Sequence, residues 1–203
     1  MDIIIMRHGE SDADILNVIE GRANFPLTED GLKQARAAAE WLKSRFGFDK
    51  IYSSPLKRAA QTARAVQQMY DVEITFDDDL MEWQNGLIAG LSRYEAEERY
   101  PETVKFPHTS VYGQESLIVF RMRAETVLSK IIHENPNDST ILAVSHGGMI
   151  SQLFRCFMKL PVDEKVFIHS GDTGIHHLKI SEDGTRVIAF INRQEHLLLR
   201  KED

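Results

Sequence analysis

The sequence of 203 residues has a single cysteine, Cys156. An intrachain disulfide and a zinc site built on several thiolates are therefore excluded. No apolar run approaches the roughly 20 residues of a membrane-spanning helix. The opening Met-Asp-Ile-Ile-Ile-Met has no basic segment ahead of its apolar residues, so no secretory leader is expected. Positive charge is also scarce: 24 Lys and Arg stand against 31 Asp and Glu, a formal net charge of −7. A surface of that sign repels nucleic acid and anionic membrane unless basic residues cluster. Repeats, low-complexity stretches and Gly/Ser linkers are missing. What remains is ordinary for a folded domain, with 42% hydrophobic and 27% charged residues. At this length about 70% of the unfolded chain's surface can be buried, so no metal or disulfide staple is needed. The expectation is one soluble, cytoplasmic domain over residues 1–203, with neither nucleic acid nor membrane as partner.

Short apolar runs alternate with longer amphipathic ones. Ile3 to Met6 reads as a buried strand. Thr28 is an N-cap candidate for a helix to Arg45, with Leu32, Ala35, Ala39 and Leu42 spaced three and four apart. Lys50 to Ser53 is a short strand. Ser54-Pro55 resembles an N-cap followed by proline at the first helical position, opening an alanine-rich helix to Met69. Val72 to Phe76 is a third strand, and Ser92 to Glu95 has the form of a capping box. A long helix is expected over Ser116 to His133 and a buried strand over Thr140 to Val144. A helix from Met149 to Lys159 and a hairpin pairing Gly174–Ile180 with Thr185–Ile191 follow. That order implies an α/β sandwich of three layers, with a mostly parallel, mixed central sheet and helices on both faces. Sites in such sheets lie outside the carboxyl ends of the strands.

Two polar clusters follow directly on buried strands: Arg7-His8-Gly9-Glu10-Ser11 and Ser145-His146-Gly147-Gly148. Each puts a histidine at a strand end beside glycines that let backbone approach a ligand. Parallel neighbouring strands would bring His8 and His146 together. Arg7 adjoins the first histidine, and Arg58 lies one turn into the helix after Ser53-Ser54. A guanidinium grips phosphate with two parallel hydrogen bonds, so the set describes an anion site suited to phosphate.

Arg7-His8-Gly9-Glu10 with Ser145-His146-Gly147-Gly148 resembles the histidine phosphatase superfamily, the phosphoglycerate mutase-like family. Further motifs in the same order extend the likeness along nearly the whole chain: Pro26-Leu27-Thr28 with Gly31 and Gln34-Ala35; Ser53-Ser54-Pro55-Leu56 with Arg58-Ala59 and Gln61-Thr62-Ala63; Leu80, Glu82, Gly86 and Gly90; Gly113, Glu115-Ser116 and Arg123; Asn192 with His196-Leu197. The resemblance implies a phosphatase for small phosphate monoesters, with a cap of loop and helix at about residues 77–115. His8 would form a phosphohistidine. Arg7, Arg58 and His146 would bind the phosphoryl oxygens. Glu82 would protonate the leaving alcohol and then help activate water. No cofactor or metal is implied, and the partner is a small phosphorylated metabolite.

This chain departs from the family pattern at Asp14, Asn24 and Ala89, with Asn17 placed where it could substitute for the missing asparagine. Asn17, Asn24, Phe25 and Trp83 are candidates for the substrate side of the pocket, with Tyr112 beside them. For the aromatic residues the competing reading is ordinary packing. His176 and His177, adjacent in a strand, point to opposite faces and cannot share a metal. Asp77-Asp78-Asp79 reads as a solvated loop, and Cys156 as a core thiol. A cofactor-dependent phosphoglycerate mutase is the second enzyme reading. The stretch from Glu82 to His146 looks too short for the insert that encloses such sites. The third reading, a phospho-ligand binding module that has lost catalysis, sits poorly with the joint presence of Arg7, His8, Arg58, Glu82 and His146. Monomer and homodimer remain equally open from the sequence.

Overall fold

The computed structural model describes residues 1–102 and 106–198. Why the first strand is apolar on both sides is plain from its neighbours. In β1 (Asp2–Arg7), Ile3 and Ile5 face one helical layer while Ile4 and Met6 face the other. Residues 12–16 form a one-turn helix, α1 (Asp12–Leu16), and α2 (Glu29–Lys43) follows with its first turn capped by the Thr28 hydroxyl, which accepts from Gly31 N. Then come β2 (Lys50–Ser53), α3 (Lys57–Gln67) and β3 (Ile74–Phe76). Two single 3-10 turns lead to α4 (Arg93–Arg99), where Ser92 and Glu95 form the expected capping box. The chain continues through α5 (Leu117–His133), β4 (Thr140–Ser145), α6 (Gly147–Phe157), β5 (Ile175–Ile180), β6 (Arg186–Arg193) and α7 (Glu195–Leu198).

The six strands form one mixed sheet in the order β3-β2-β4-β1-β5-β6. The first four are parallel, and the β5–β6 hairpin adds the antiparallel side. One face packs on α5 and α6 through Phe120, Val127, Leu153 and Phe154. The other packs on α2 and α3 through Ala38, Leu42, Ala63 and Val66. Sheet and layers are those the sequence predicts.

Three elements start two residues from where the sequence puts them. The third helix opens at Lys57 rather than Pro55, because the Ser54 side chain turns toward His146 and the backbone stays extended through Leu56. Its first turn is capped from afar, by Asn24 Oδ1 on Lys57 N. The sixth helix starts at Gly147 rather than Met149: glycine's poor helix propensity matters little in a first turn, where the N–H groups are free to serve another partner. β3 is confined to Ile74–Phe76, since the Val72 carbonyl is taken by Gln67 Nε2 instead of a neighbouring strand. The two short helices α1 and α7 lack a readable apolar period. Asp77-Asp78-Asp79 is more than a solvated loop: Asp77 caps a 3-10 turn and pairs with Lys130 Nζ at 2.8 Å, with Asp79 at 3.3 Å.

His176 and His177 do face opposite layers. His177 Nε2 donates to Asp2 Oδ1 and the ring packs against Phe46 and Phe190, while His176 lies against Phe154. Asn192 N donates to His176 Nδ1 at 3.2 Å, so the ring keeps its proton on Nε2, facing Ser170 Oγ at 2.9 Å. Burial lowers the pKa of His176 from 6.5 to about 4, with a smaller push from His169. Above pH 6.5 both folded and unfolded chains hold this ring neutral. Between 6.5 and about 4 only the unfolded chain binds the proton, so stability must fall with falling pH, by about 3 kcal/mol across that window. Urea unfolding near pH 7 and near pH 4.5 should show the loss. His176→Gln should lessen the loss by about that amount, with His8 and His146 still contributing, and an unchanged slope in that variant would clear His176 as a source.

Candidate functional site

The parallel pairing of β1 with β4 runs to the register Arg7 opposite Ser145. The next residue on each strand is a histidine. His8 and His146 therefore meet at the carboxyl edge of the sheet, fully buried, with ring centroids 5.0 Å apart. Arg58, buried in the first turn of α3, completes the group with its Nε 3.2 Å from His8 Nε2. Its two terminal nitrogens are spent on the carbonyls of Gly21 at 2.8 Å and Ala23 at 2.9 Å, which fixes where Nε points. Arg7 reaches the Ser170 carbonyl at 2.8 Å through Nη1 and lies 3.4 Å from Asp172 and 3.9 Å from Asp14 through Nη2. The structure thus brings together the four residues Arg7, His8, Arg58 and His146 that the sequence singles out.

The His8 loop is held from several directions. Nδ1 lies 2.7 Å from the Gly9 carbonyl, an acceptor only, so Nδ1 carries the proton and Nε2 presents its lone pair. Gly9 N donates to Thr62 Oγ1. Thr28, capping α2, donates to Glu10 Oε1 and takes Glu10 O with its own N–H. Backbones touch here: a Cβ on Gly31 would stand 2.0 Å from Glu10 O, and one on Gly9 would stand 2.6 Å from Gly31 O. The glycine of the first cluster and the glycine three residues after Thr28 are two sides of one contact.

His146 Nε2 lies 2.8 Å from Ser54 Oγ, and that hydroxyl also accepts from Leu56 N. Its hydrogen has His146 as its natural acceptor, which leaves the ring proton on Nδ1, a buried atom with no hydrogen-bond partner. Arg7 Nε is likewise buried without a partner. Two idle donors in a polar cleft are what an anion would fill. Burial holds His8 well below the usual imidazole range, and Arg58 and Arg7 push the same way, outweighing the Gly9 carbonyl. His146 is lowered well below that range by burial first, then by Arg58 and His8.

Glu82 stands at the mouth. Its Oε2 accepts from Gly148 N and its Oε1 from Trp83 N, both at 2.8 Å. A Cβ on Gly148 would meet Oε1 at 2.4 Å, so this carboxylate needs glycine there. Behind Glu82, Arg123 clamps the carbonyls of Asp79, Met81 and Glu82 and pairs with Glu115 at 2.6 Å. Glu115 in turn takes Gln84 N. An open cavity of about 740 Å³ is lined by Glu20, Glu82 and Gly148, which border the histidine cradle, and by Asp14, Asn17, Trp83 and Arg93 among others. Asn17 and Trp83 thus sit where the sequence puts a substrate pocket. Asn24 and Phe25 are not among its lining residues, and Asn24 caps α3. Tyr112 meets Tyr100 edge-on. The sequence offers Ser54 as a helix cap and motif residue, not as the partner of His146, and it does not single out Glu20. Glu20 lies in a stretch without periodicity, and nothing local marks it. Among the described residues no cluster of His, Cys, Asp and Glu could hold a metal ion, and no helix is long and apolar enough to cross a membrane.

The chain belongs to the histidine phosphatase superfamily, branch 1, whose model matches residues 3–193. It is 32% identical over 201 residues to phosphoserine phosphatase 1 of Hydrogenobacter thermophilus, covering 96% of this chain and 93% of that one. It is 32% identical over 151 residues to a phosphatase of Bacillus subtilis named PhoE, covering 74% of each. A solved α-ribazole-5′-phosphate phosphatase of Escherichia coli, so described provisionally, shares the fold with a TM-score of 0.87 at 24% identity, over 96% of this chain and 97% of that one. Phosphoglycerate mutases are also among the relatives. Of three mycobacterial relatives the chain spans 54% of the length.

The two histidines should stay neutral in solution well below pH 6.5. Ring-carbon NMR shifts of His8 and His146, followed from about pH 7.5 to 5.5, should not move while those of exposed histidines titrate. A midpoint at or above 6.5 for either would contradict the burial argument.

Proposed function

We propose that the protein is a cytoplasmic phosphatase that hydrolyses small phosphate monoesters through a phosphohistidine on His8. The observation that carries this reading is the His8 ring: neutral, with Nδ1–H held by Gly9 O, and with its Nε2 lone pair turned into an anion cradle. A nucleophilic histidine needs that protonation state and that tautomer.

The steps follow from the contacts. As the substrate enters, Arg58 Nε–H passes from His8 Nε2 to a phosphoryl oxygen and releases the lone pair. His8 Nε2 bonds to phosphorus as the bond to the alcohol oxygen breaks, and Glu82 gives that oxygen a proton. Glu82 then takes a proton from water, whose oxygen attacks phosphorus and breaks the N–P bond. Inorganic phosphate leaves and His8 is neutral again. Arg7 and the idle Nδ1–H of His146 serve the remaining phosphoryl oxygens, whose charge grows in the transition state. Every charge on the phosphoryl group is met by these side chains, so the reaction in this reading uses no metal. We read residues 77–115 as a cap within one domain of residues 1–203. The placement of Glu82, Trp83 and Arg93 on the cavity supports this, and residues 103–105 of the cap lie outside the described residues.

Activity on an aryl phosphate should survive EDTA, and loss that added metal restores would overturn the metal-free reading. His8→Ala should abolish the acid-labile phosphoenzyme. Glu82→Gln keeps the shape of the side chain but has no proton to give. Its kcat/KM should fall on the order of 10²–10⁴ for alkyl phosphates, whose leaving oxygen is strongly basic. The fall should be much smaller for p-nitrophenyl phosphate. Equal losses on both would mean that Glu82 only positions the phosphate or water. Transfer from 2,3-bisphosphoglycerate to 3-phosphoglycerate that outpaces hydrolysis would favour the mutase reading instead.

A further inference from the structure

A carboxylate already lies against the atoms that must receive the phosphoryl group. Glu20 Oε1 is 3.4 Å from Arg58 Nε, and Oε2 is 3.7 Å from His8 Nε2. Gly21 O and Ala23 O each take one N–H of the Arg58 terminal nitrogens, which orients the guanidinium so that Nε faces both His8 and Glu20. The Ser11 hydroxyl lies within hydrogen-bond distance of Glu20 Oε1 and, at 3.1 Å, of Asp14 Oδ2. It has one hydrogen, so one of those two acids lacks a donor there at any moment. The charged and titratable groups around Glu20 are His8 and Arg7 at the end of β1, Arg58 on α3 and Asp14 on α1. Glu82 at the mouth, and Glu10 and Asp172 beside Arg7, complete the set. With both histidines neutral, the two guanidiniums of Arg7 and Arg58 stand among more carboxyl groups than they can pair.

A phosphoryl dianion has only acceptors and would be repelled by Glu20. A phosphoryl group with one hydrogen can donate it to Glu20 while its bare oxygens face Arg58, Arg7 and His146. We propose that Glu20 makes the site select singly protonated phosphate, as ester or as free phosphate. Exactly one proton is shared between a Glu20 oxygen and a phosphoryl oxygen in the bound state. This rests on the phosphatase reading of the cradle and adds the species of substrate that it accepts. Sulfate has the shape of phosphate but no hydrogen near neutral pH, so it is excluded. The second proton of a phosphate monoester is lost near pH 6, which puts the choice inside the physiological range.

The test is binding of inorganic phosphate and of sulfate to the whole protein by calorimetry, from about pH 5.5 to 8.5. Phosphate affinity should fall about tenfold per pH unit above the second pKa of phosphate, the mark of one retained proton. Sulfate should bind on the order of 100-fold more weakly than phosphate at pH 6. In Glu20→Gln, whose amide can donate, phosphate affinity should lose that pH slope and sulfate should come within about tenfold of phosphate. Glu82→Gln should leave sulfate excluded. Parent protein that binds sulfate as tightly as phosphate overturns the proposal without any variant, and leaves the phosphatase reading standing. Relief of the exclusion by Glu82→Gln in place of Glu20→Gln overturns it in favour of Glu82 as the acceptor. Parent protein that binds neither anion and turns over no ester overturns both readings together.

Discussion

The pairing of β1 with β4 is the constraint on which the site depends. Two strands far apart in sequence lie parallel and in register through Arg7 and Ser145, so each delivers its next residue to the same edge. A shift of one residue in either strand would turn its buried side chains to the opposite face and separate the histidines. The register is specified strongly because both faces of these strands are covered. Ile3 and Ile5 on one side, with Ile4 and Met6 on the other, leave no polar face to tolerate slippage. Core packing and the placement of His8 against His146 are thus one requirement.

Burial at that edge does electrostatic work. Two buried imidazoles beside two guanidiniums give up their protons because the charged form loses its hydration and gains repulsion. The guanidiniums keep theirs and are held by carbonyls of Gly21, Ala23 and Ser170, which neutralise nothing fully yet fix direction. The acids Asp14, Glu20 and Asp172 supply the compensating charge. The cleft is therefore a positive cradle inside a negative rim, in a chain of net charge −7.

Much of this was legible in the sequence. Continuous apolar runs told of strands covered on both faces, and polar clusters at two strand ends told where chemistry could sit. Short-range signals failed where a distant group overrode them. Ser54-Pro55 has the form of a helix start, but Ser54 serves His146 and the cap comes from Asn24, more than thirty residues earlier. Asn24 reads as a pocket candidate because its partner in the structure, Lys57 N, is far along the chain. Glu20 was invisible because its position depends on how α1 and the Gly21–Ala23 turn wrap Arg58, which no periodicity records. Asp77 and Asp79 looked solvated because Lys130, their partner, follows by about fifty residues.

Glu82 has no strand or helix to hold it. Its backbone is gripped by Arg123 on α5, its side chain by the first turn of α6, and the Arg123–Glu115 pair closes the arrangement onto Gln84. Leu80, just ahead of Glu82, is buried in the core, and its carbonyl takes the Ser145 hydroxyl. The loop is thereby bonded to the residue immediately before His146. Glu82 and His146 are placed relative to each other through Ser145 and Gly148, on either side of the histidine. Variation at cavity residues such as Arg93 can then reshape the wall while Glu82 and His146 keep their spacing. That division between a fixed cradle and a variable wall is the physical form that a change of substrate within one fold would take.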